Sequence, residues 1–341
     1  MERVLLVVDG GDAVTARVGL SRPDIAEAYP GVRGADRAGW EAEFDPRGVP
    51  GPTATLTLLG SAGDSDWVEL AWTEVLVEPF GAVTAGRRAA FTIVRNEARF
   101  LPIWLDYYRR HFDPADIYVI DHDTIDGSTE AIGDSCTVVP VHRDRIWDHV
   151  WLTGVVEDFQ AFLLRSYETV LFTDVDEFVV PDPSRHDGIA GYMESIEGRA
   201  ACCTGYNVVH YPDEEPPLDF SRRPLLEQRR YWRPSPQYSK RLIGRVPLRW
   251  GVGFHREFNV AEAEPDPGLY LVHLHRVDYE DCLERHRQAA GGRWSEEDLK
   301  FNLSWHRRVV EPGDFDDWFF EGEDLEGQGR ELIPEAVRRA L

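Results

Sequence analysis

The segment Thr173-Asp174-Val175-Asp176-Glu177 sets two aspartates two residues apart, directly after the apolar run at 169–172. In an extended chain, residues i and i+2 point to the same side. Both carboxylates would then crowd one edge, and clustered anions repel unless a cation neutralises them. Hard carboxylate oxygens suit Mg²⁺ or Mn²⁺, ions that keep open positions for phosphate oxygens. Two further apolar runs end in polar clusters. Residues 91–94 lead into Arg95-Asn96-Glu97, and residues 117–120 lead into Asp121-His122-Asp123-Thr124-Ile125-Asp126-Gly127-Ser128-Thr129. Aspartate and asparagine at such positions also cap helices and make turns, and Asp126-Gly127-Ser128 reads first as a turn.

The elements that must position these groups follow from periodicity. Short apolar runs at 91–94, 117–120, 137–141 and 169–172 read as buried strands. Between them lie a helix near Leu101-Pro102, with Leu101, Trp104, Leu105, Tyr108 and Phe112 on its apolar face, and a second helix over 153–164. Strands alternating with helices predict a mainly parallel α/β sheet, whose ligands sit beyond the carboxyl ends of the strands. Before residue 80 the pattern differs. Alternating segments at 13–18, 53–59 and 68–77, punctuated by Pro and Gly, predict a small β-sandwich. The expected division is a β-rich accessory domain at 1–86, the α/β domain at 87–310 and an acidic, aromatic tail at 311–341.

Lys and Arg number 37 against 61 Asp and Glu, a formal charge of -24. Such a chain repels phosphate backbones and anionic lipid, which argues against nucleic-acid binding. It would also repel a nucleotide-sugar unless a cation or a local Arg and Lys cluster receives the diphosphate. No apolar segment approaches the roughly 20 residues of a membrane span, and the N-terminal run reads as a strand, not a signal peptide. Cys136, Cys202, Cys203 and Cys282 form no CxxC pair, and reduced thiols in a cytoplasmic protein are the expectation.

Jointly, the strand into Arg95-Asn96-Glu97, the Leu101-Pro102-x-Trp104-Leu105 helix, Asp121 to Ser128, and Asp174-Val175-Asp176-Glu177-Phe178 resemble glycosyltransferase family 2 and its relatives. The resemblance spans about the middle half of the chain. It implies a GT-A-type, Rossmann-like mixed sheet flanked by helices. The implied activity is hexosyltransferase-like transfer of a sugar from a UDP-, GDP- or dTDP-sugar to a hydroxyl of a carbohydrate or small molecule, with Mn²⁺ or Mg²⁺ and with inversion. By the same resemblance Val94, Arg95, Asn96, Glu97, Asp121, Asp123 and Asp174 would line the donor. Asp174 would contact the ribose or ligate the metal, and Asp176 would ligate the metal that bridges the donor diphosphate. Tyr238-Ser239-Lys240-Arg241 and the loop ending in His255 resemble downstream elements of relatives, so Lys240 and His255 join the donor set. Leu271-Val272-His273-Leu274-His275 is strand-like, so its histidines share a face, and a late histidine in this family often completes the metal site. The segment around Ser21-Arg22-Pro23 looks like an accessory β-domain of carbohydrate-processing enzymes.

The inverting base that relatives carry has no clear counterpart. Asp213, Glu214 and Glu215, or Glu257, are the candidates. Two other readings compete. A sugar nucleotidyltransferase should carry a Gly-rich loop soon after the first strand, and Arg95-Asn96-Glu97 lacks it. A non-catalytic glycan-binding or scaffold protein has no need for both aspartates. The oligomeric state is left open.

Overall fold

The structure is a computed structural model that describes residues 3–8, 13–44, 53–62, 66–76, 86–196, 198–260, 264–320 and 329–341. The chain divides into two compact units, Met1–Gly81 and Ala82–Leu341.

In the first unit the strands are β1 (Arg3–Val8), β2 (Ala13–Thr15), β3 (Arg17–Leu20), β4 (Gly39–Glu41), β5 (Thr53–Ser61) and β6 (Val68–Leu76). A short helix, α1 (Pro23–Ala28), lies between β3 and β4. Strand β1 alternates, burying Val4, Leu6 and Val8. Leu6 and Val8 pack with Ala54 of β5. Among the described residues this unit holds one antiparallel sheet, β2-β1-β5-β6, and a two-stranded β3-β4 ribbon.

The second unit begins with β7 (Arg88–Val94), α2 (Phe100–Tyr108), β8 (Ile117–His122), α3 (Ser128–Ala131), β9 (Thr137–Val141), β10 (Ile146–Trp147), α4 (His149–Leu163) and β11 (Thr169–Phe172). It continues through β12 (Glu177–Pro181), α5 (Gly188–Glu194), β13 (Ala200–Val208), β14 (Tyr231–Pro234), β15 (Arg241–Gly244) and β16 (Asp266–His273). It closes with α6 (Tyr279–Ala290), β17 (Arg293–Trp294), α7 (Glu296–Lys300), α8 (Pro312–Phe319), β18 (Glu331–Leu332) and α9 (Glu335–Ala340).

A ten-stranded mixed sheet runs β12-β16-β13-β15-β11-β7-β8-β9, with β14 and β18 off this path. Strands β11, β7, β8 and β9 are mutually parallel. From Ala89 onward β7 is buried at every residue, as a parallel strand covered on both faces must be. The expected apolar face of the first helix is the observed one, with Leu101, Trp104, Leu105, Tyr108 and Phe112 all buried.

The order β9-β8-β7-β11 places the functional end. From β7 the chain steps outward through β8 to β9, then returns to the other side of β7 as β11. Beyond the carboxyl ends of β7 and β11 the flanking connections diverge, leaving a crevice at this switch point.

The segment after residue 310, expected as a tail, contributes α8. Phe315 and Phe319, one turn apart, are fully buried and pack with Val209, Cys282 and Leu283. Asp314, Asp316 and Asp317 face outward. Among the described residues no helix is long and apolar enough to cross a membrane.

Candidate functional site

The Asp174–Asp176 segment is a turn, not an extended strand. Strand β11 stops at Phe172, the Glu177 amide donates to the Asp174 carbonyl at 3.0 Å, and β12 starts at Glu177. The same-side expectation for i, i+2 therefore fails. Thr173 fixes the turn from behind, its hydroxyl accepting Trp104 Nε1 of α2 at 2.8 Å. The half-buried Asp174 carboxylate has no hydrogen bond or ion pair among the described residues and faces a cleft. Asp176 is buried and points to the end of β16, because Glu177 pairs with His273 in the β12–β16 ladder and the Leu274 amide donates to the Asp176 carbonyl.

Hydrogen-bond partners fix which ring nitrogens reach Asp176 as acceptors. His286 Nδ1 lies 3.0 Å from the Val309 carbonyl, which can only accept, so Nδ1 carries the hydrogen. His286 Nε2 then holds a lone pair, and His275 Nε2, 3.0 Å away, must donate to it. His275 Nδ1 is left with a lone pair, 3.4 Å from Asp176 Oδ2. On the other side, His273 Nδ1 donates to Asn207 Oδ1 at 2.7 Å. Its Nε2 lone pair lies 3.9 Å from Asp176 Oδ1. Burial holds both imidazoles well below their usual pKa, and they stay neutral. For Asp176, burial is outweighed chiefly by the Arg285 charge, so the carboxyl lies well below its usual range. Ligand atoms of Asp176, His273 and His275 lie within 4.8 Å of one another. Three electron-pair donors converge with no hydrogen between them, and this set fits a divalent cation. Asp174 is not in this close set.

Protein cations meet part of the carboxylate charge. Arg285 of α6 donates to Asp176 at 2.9 Å and lies 3.6 Å from Glu97. Lys240 donates to Glu177 at 2.6 Å, both side chains almost wholly buried. The charge crowding inferred from sequence is thus partly met within the fold. Four carboxylates (Glu97, Asp174, Asp176, Glu177) face these two paired cations, and Arg307 adds its charge near Glu97 and Asp174. Burial raises Glu97 and Asp174, and it pushes Glu177 up to about 7 against the pull of Lys240.

Six of the expected donor residues, Val94, Arg95, Glu97, Asp174, Lys240 and His255, line one cleft with Asp176, His273 and His275. Its empty volume is ≈ 880 Å³ counted out to open solvent. The other three serve the backbone. Asn96, in the left-handed region at φ 56°, accepts from the Ile125 amide and borders an adjoining pocket. Asp121 accepts from the Thr124 amide and the Thr129 hydroxyl, both at 2.9 Å. Asp123 accepts from His142 and from the amides of Arg143 and Arg145. Both aspartates are spent on turns after β8 and do not line the cleft.

The four base candidates also lie off the cleft lining. Asp213 and Glu214 are exposed, and Glu214 is paired with Arg330. Glu215 is buried, accepting from the Tyr211 and Arg230 amides. Glu257 is held by Arg241. Glu214, Glu215 and Glu257 are held by these partners, and Asp213 is exposed outside the cleft.

Sequence reading missed several cleft residues. Trp147 and Arg307 are two of them, and Arg307 joins the expected Arg95 in stacking on the Trp147 ring, with guanidinium carbons 5.4 and 4.7 Å from its centre. Arg307 has no carboxylate partner among the described residues, and Arg95 Nη1 is buried without an acceptor. Arg285, His286, His149 and Arg307 come from α6, α4 and the short turn at Trp305–Arg308. No local spacing signals them. The one available cue was Cys282 and His286 at i, i+4 on a helix.

No family model and no curated protein matches the chain. Among solved structures, mannose-1-phosphate geranyltransferase from Thermus thermophilus aligns with 60% of this chain at 12% identity and a TM-score of 0.26. The chain spans 61% of that protein. Likeness at this level supports no statement about activity.

Proposed function

We propose that the chain is a glycosyltransferase that moves a sugar from a nucleoside-diphosphate donor to a hydroxyl acceptor with inversion. The observation that carries this reading is the convergence of Asp176, His273 Nε2 and His275 Nδ1 at the switch point, beside two stacked arginines. Asp176, His273 and His275 would hold the cation, with the unpaired Asp174 carboxylate beside them for the ion or a ribose hydroxyl. Two imidazoles beside one carboxylate favour a transition ion such as Mn²⁺ over Mg²⁺, which prefers oxygen alone. When bound, the ion supplies Lewis-acid neutralisation of the leaving diphosphate. Arg95 and Arg307 receive phosphate oxygens at the mouth, which answers the repulsion expected of a chain at -24. Lys240 and Arg285 hold the carboxylates in place.

Thermal melting with UDP, GDP and dTDP, each with and without Mn²⁺, tests the reading. A ligand that binds only the folded state raises its melting temperature. The expected result is a rise with one nucleotide that depends on Mn²⁺, followed by release of that nucleotide from its sugar donors. The absence of any metal-linked nucleotide shift overturns the reading.

A further inference from the structure

With none of the four acidic candidates lining the cleft, the acceptor's proton still needs a destination. His149 supplies one. It is the first residue of α4, following the Asp148 N-cap, and its ring lines the cleft with Asp174 and Asp176. Its Nδ1 lies 2.6 Å from Asp298 Oδ2, and Asp298 is fully buried. An ionised carboxylate only accepts, so Nδ1 carries the hydrogen and Nε2 the lone pair. No described residue bonds to that Nε2. The ring lies beside two indoles that also touch each other, its plane at 14° to Trp147 and 21° to Trp294, with the two indole centroids 5.9 Å apart.

Asp298 departs from what its local sequence would do by itself. Ser295 caps α7 and accepts from the Asp298 amide at 3.1 Å. An acidic residue at this third helical position ordinarily returns to the cap's own backbone amide. Here the Ser295 amide donates instead to the Trp147 carbonyl, and the Asp298 carboxylate crosses to His149, taking both its ring hydrogen and its backbone amide. A buried carboxylate orienting an imidazole whose other nitrogen is open to a cleft is the arrangement of a general base and its positioning residue.

We propose that His149 Nε2 takes the proton from the acceptor hydroxyl and that Asp298 positions it; this rests on the glycosyl-transfer reading. The acceptor O–H bond breaks and its proton moves to Nε2. The acceptor oxygen bonds to the anomeric carbon as the bond from that carbon to the diphosphate oxygen breaks, its electron pair leaving with the nucleoside diphosphate. The imidazolium, paired with Asp298, returns the proton to water after product leaves.

The test uses the purified full chain with Mn²⁺, UDP-, GDP- and dTDP-hexoses as donors and a mixture of methyl glycosides as acceptors, reading nucleoside-diphosphate release. H149A and H149Q are expected to lower kcat by at least ~100-fold, with donor KM and the Mn²⁺-linked nucleotide shift unchanged. Added imidazole is expected to restore part of the H149A rate, which a purely structural role would not permit. D298N, which keeps side-chain volume, should lower kcat with donor KM unchanged, and it carries the test if H149A melts early. H149Q turning over within about threefold of the wild type overturns the assignment of the base alone. A wild-type chain with no metal-linked nucleotide binding overturns the transferase reading and this assignment together.

Discussion

Asp176 sits between two imidazoles whose hydrogens point away from it. That arrangement depends on His286, which touches neither Asp176 nor the cleft's arginines through its ring nitrogens but dictates the His275 tautomer through the Val309 carbonyl. Asp176→Asn keeps the volume and removes the charge, and it is expected to abolish Mn²⁺-linked nucleotide binding in the melting assay. His286→Phe removes the acceptor for His275 Nε2. His275 is then free to place its hydrogen on Nδ1, toward Asp176. Mn²⁺ affinity, read by titration calorimetry, is expected to fall about 10- to 100-fold, the usual cost of losing such an outer partner. Cys282→Ser should leave that affinity unchanged, since Cys282 packs in the apolar cluster with Phe315 and Phe319.

Helix α6 delivers Arg285 to Asp176 and His286 to His275 from adjacent positions, and α8 holds α6 in place. Phe315 of α8 is fully buried and meets the His286 ring edge-on, with centroids 5.2 Å apart. Phe315→Ala would leave a cavity under α6 and is expected to cost about 3–5 kcal/mol in chemical denaturation. Mn²⁺ affinity should weaken as well, because the cavity lies against His286. A segment that was only a solvated tail would show neither effect. Strand β12 plays the matching part on the other side, where its register against β16 brings His273 opposite Glu177 and so beside Asp176.

The whole molecule carries a charge of -24, yet its cleft is built around neutral histidines and protein cations. Burial lowers the pKa of eight histidines: 111, 122, 210, 255, 273, 275, 286 and 306. His122, His255 and His286 fall to about 4, and His306 to about 3. Glu97, Asp174 and Glu177 are raised. Between roughly pH 4 and 6.5 the unfolded chain protonates histidines that the folded chain keeps neutral, while up to three carboxyls act in the opposite sense. More histidines are lowered than carboxyls are raised, so unfolding takes up protons across this range. Where the unfolded state binds more protons, stability rises with pH. Stability contributed by the buried histidines is present above about 6.5 and is lost as pH falls toward 4. The urea midpoint is expected to be lower at pH 5 than at pH 7, measured in about 0.5 M salt so that surface repulsion is screened.

Local pattern determined the strands β7, β8, β9 and β11, the apolar face of α2 and the polar residues at the strand ends. These rest on periodicity and on short-range sterics, which a single segment contains. Asp176, His273 and His275 were also legible, because each lies at the end of an apolar run. The roles within that set were not. Only the tertiary fold turned Asp174–Asp176 from a strand into a turn, spent Asp121 and Asp123 on backbone amides, and occupied Glu215 and Glu257 inside loops. It also brought together Arg285, His286, Arg307 and the His149–Asp298 pair, the last two residues lying 149 positions apart in the chain. A carboxylate's availability depends on which donors surround it, and an imidazole's free nitrogen depends on what its other nitrogen touches. Those neighbours are set by strand register and helix packing.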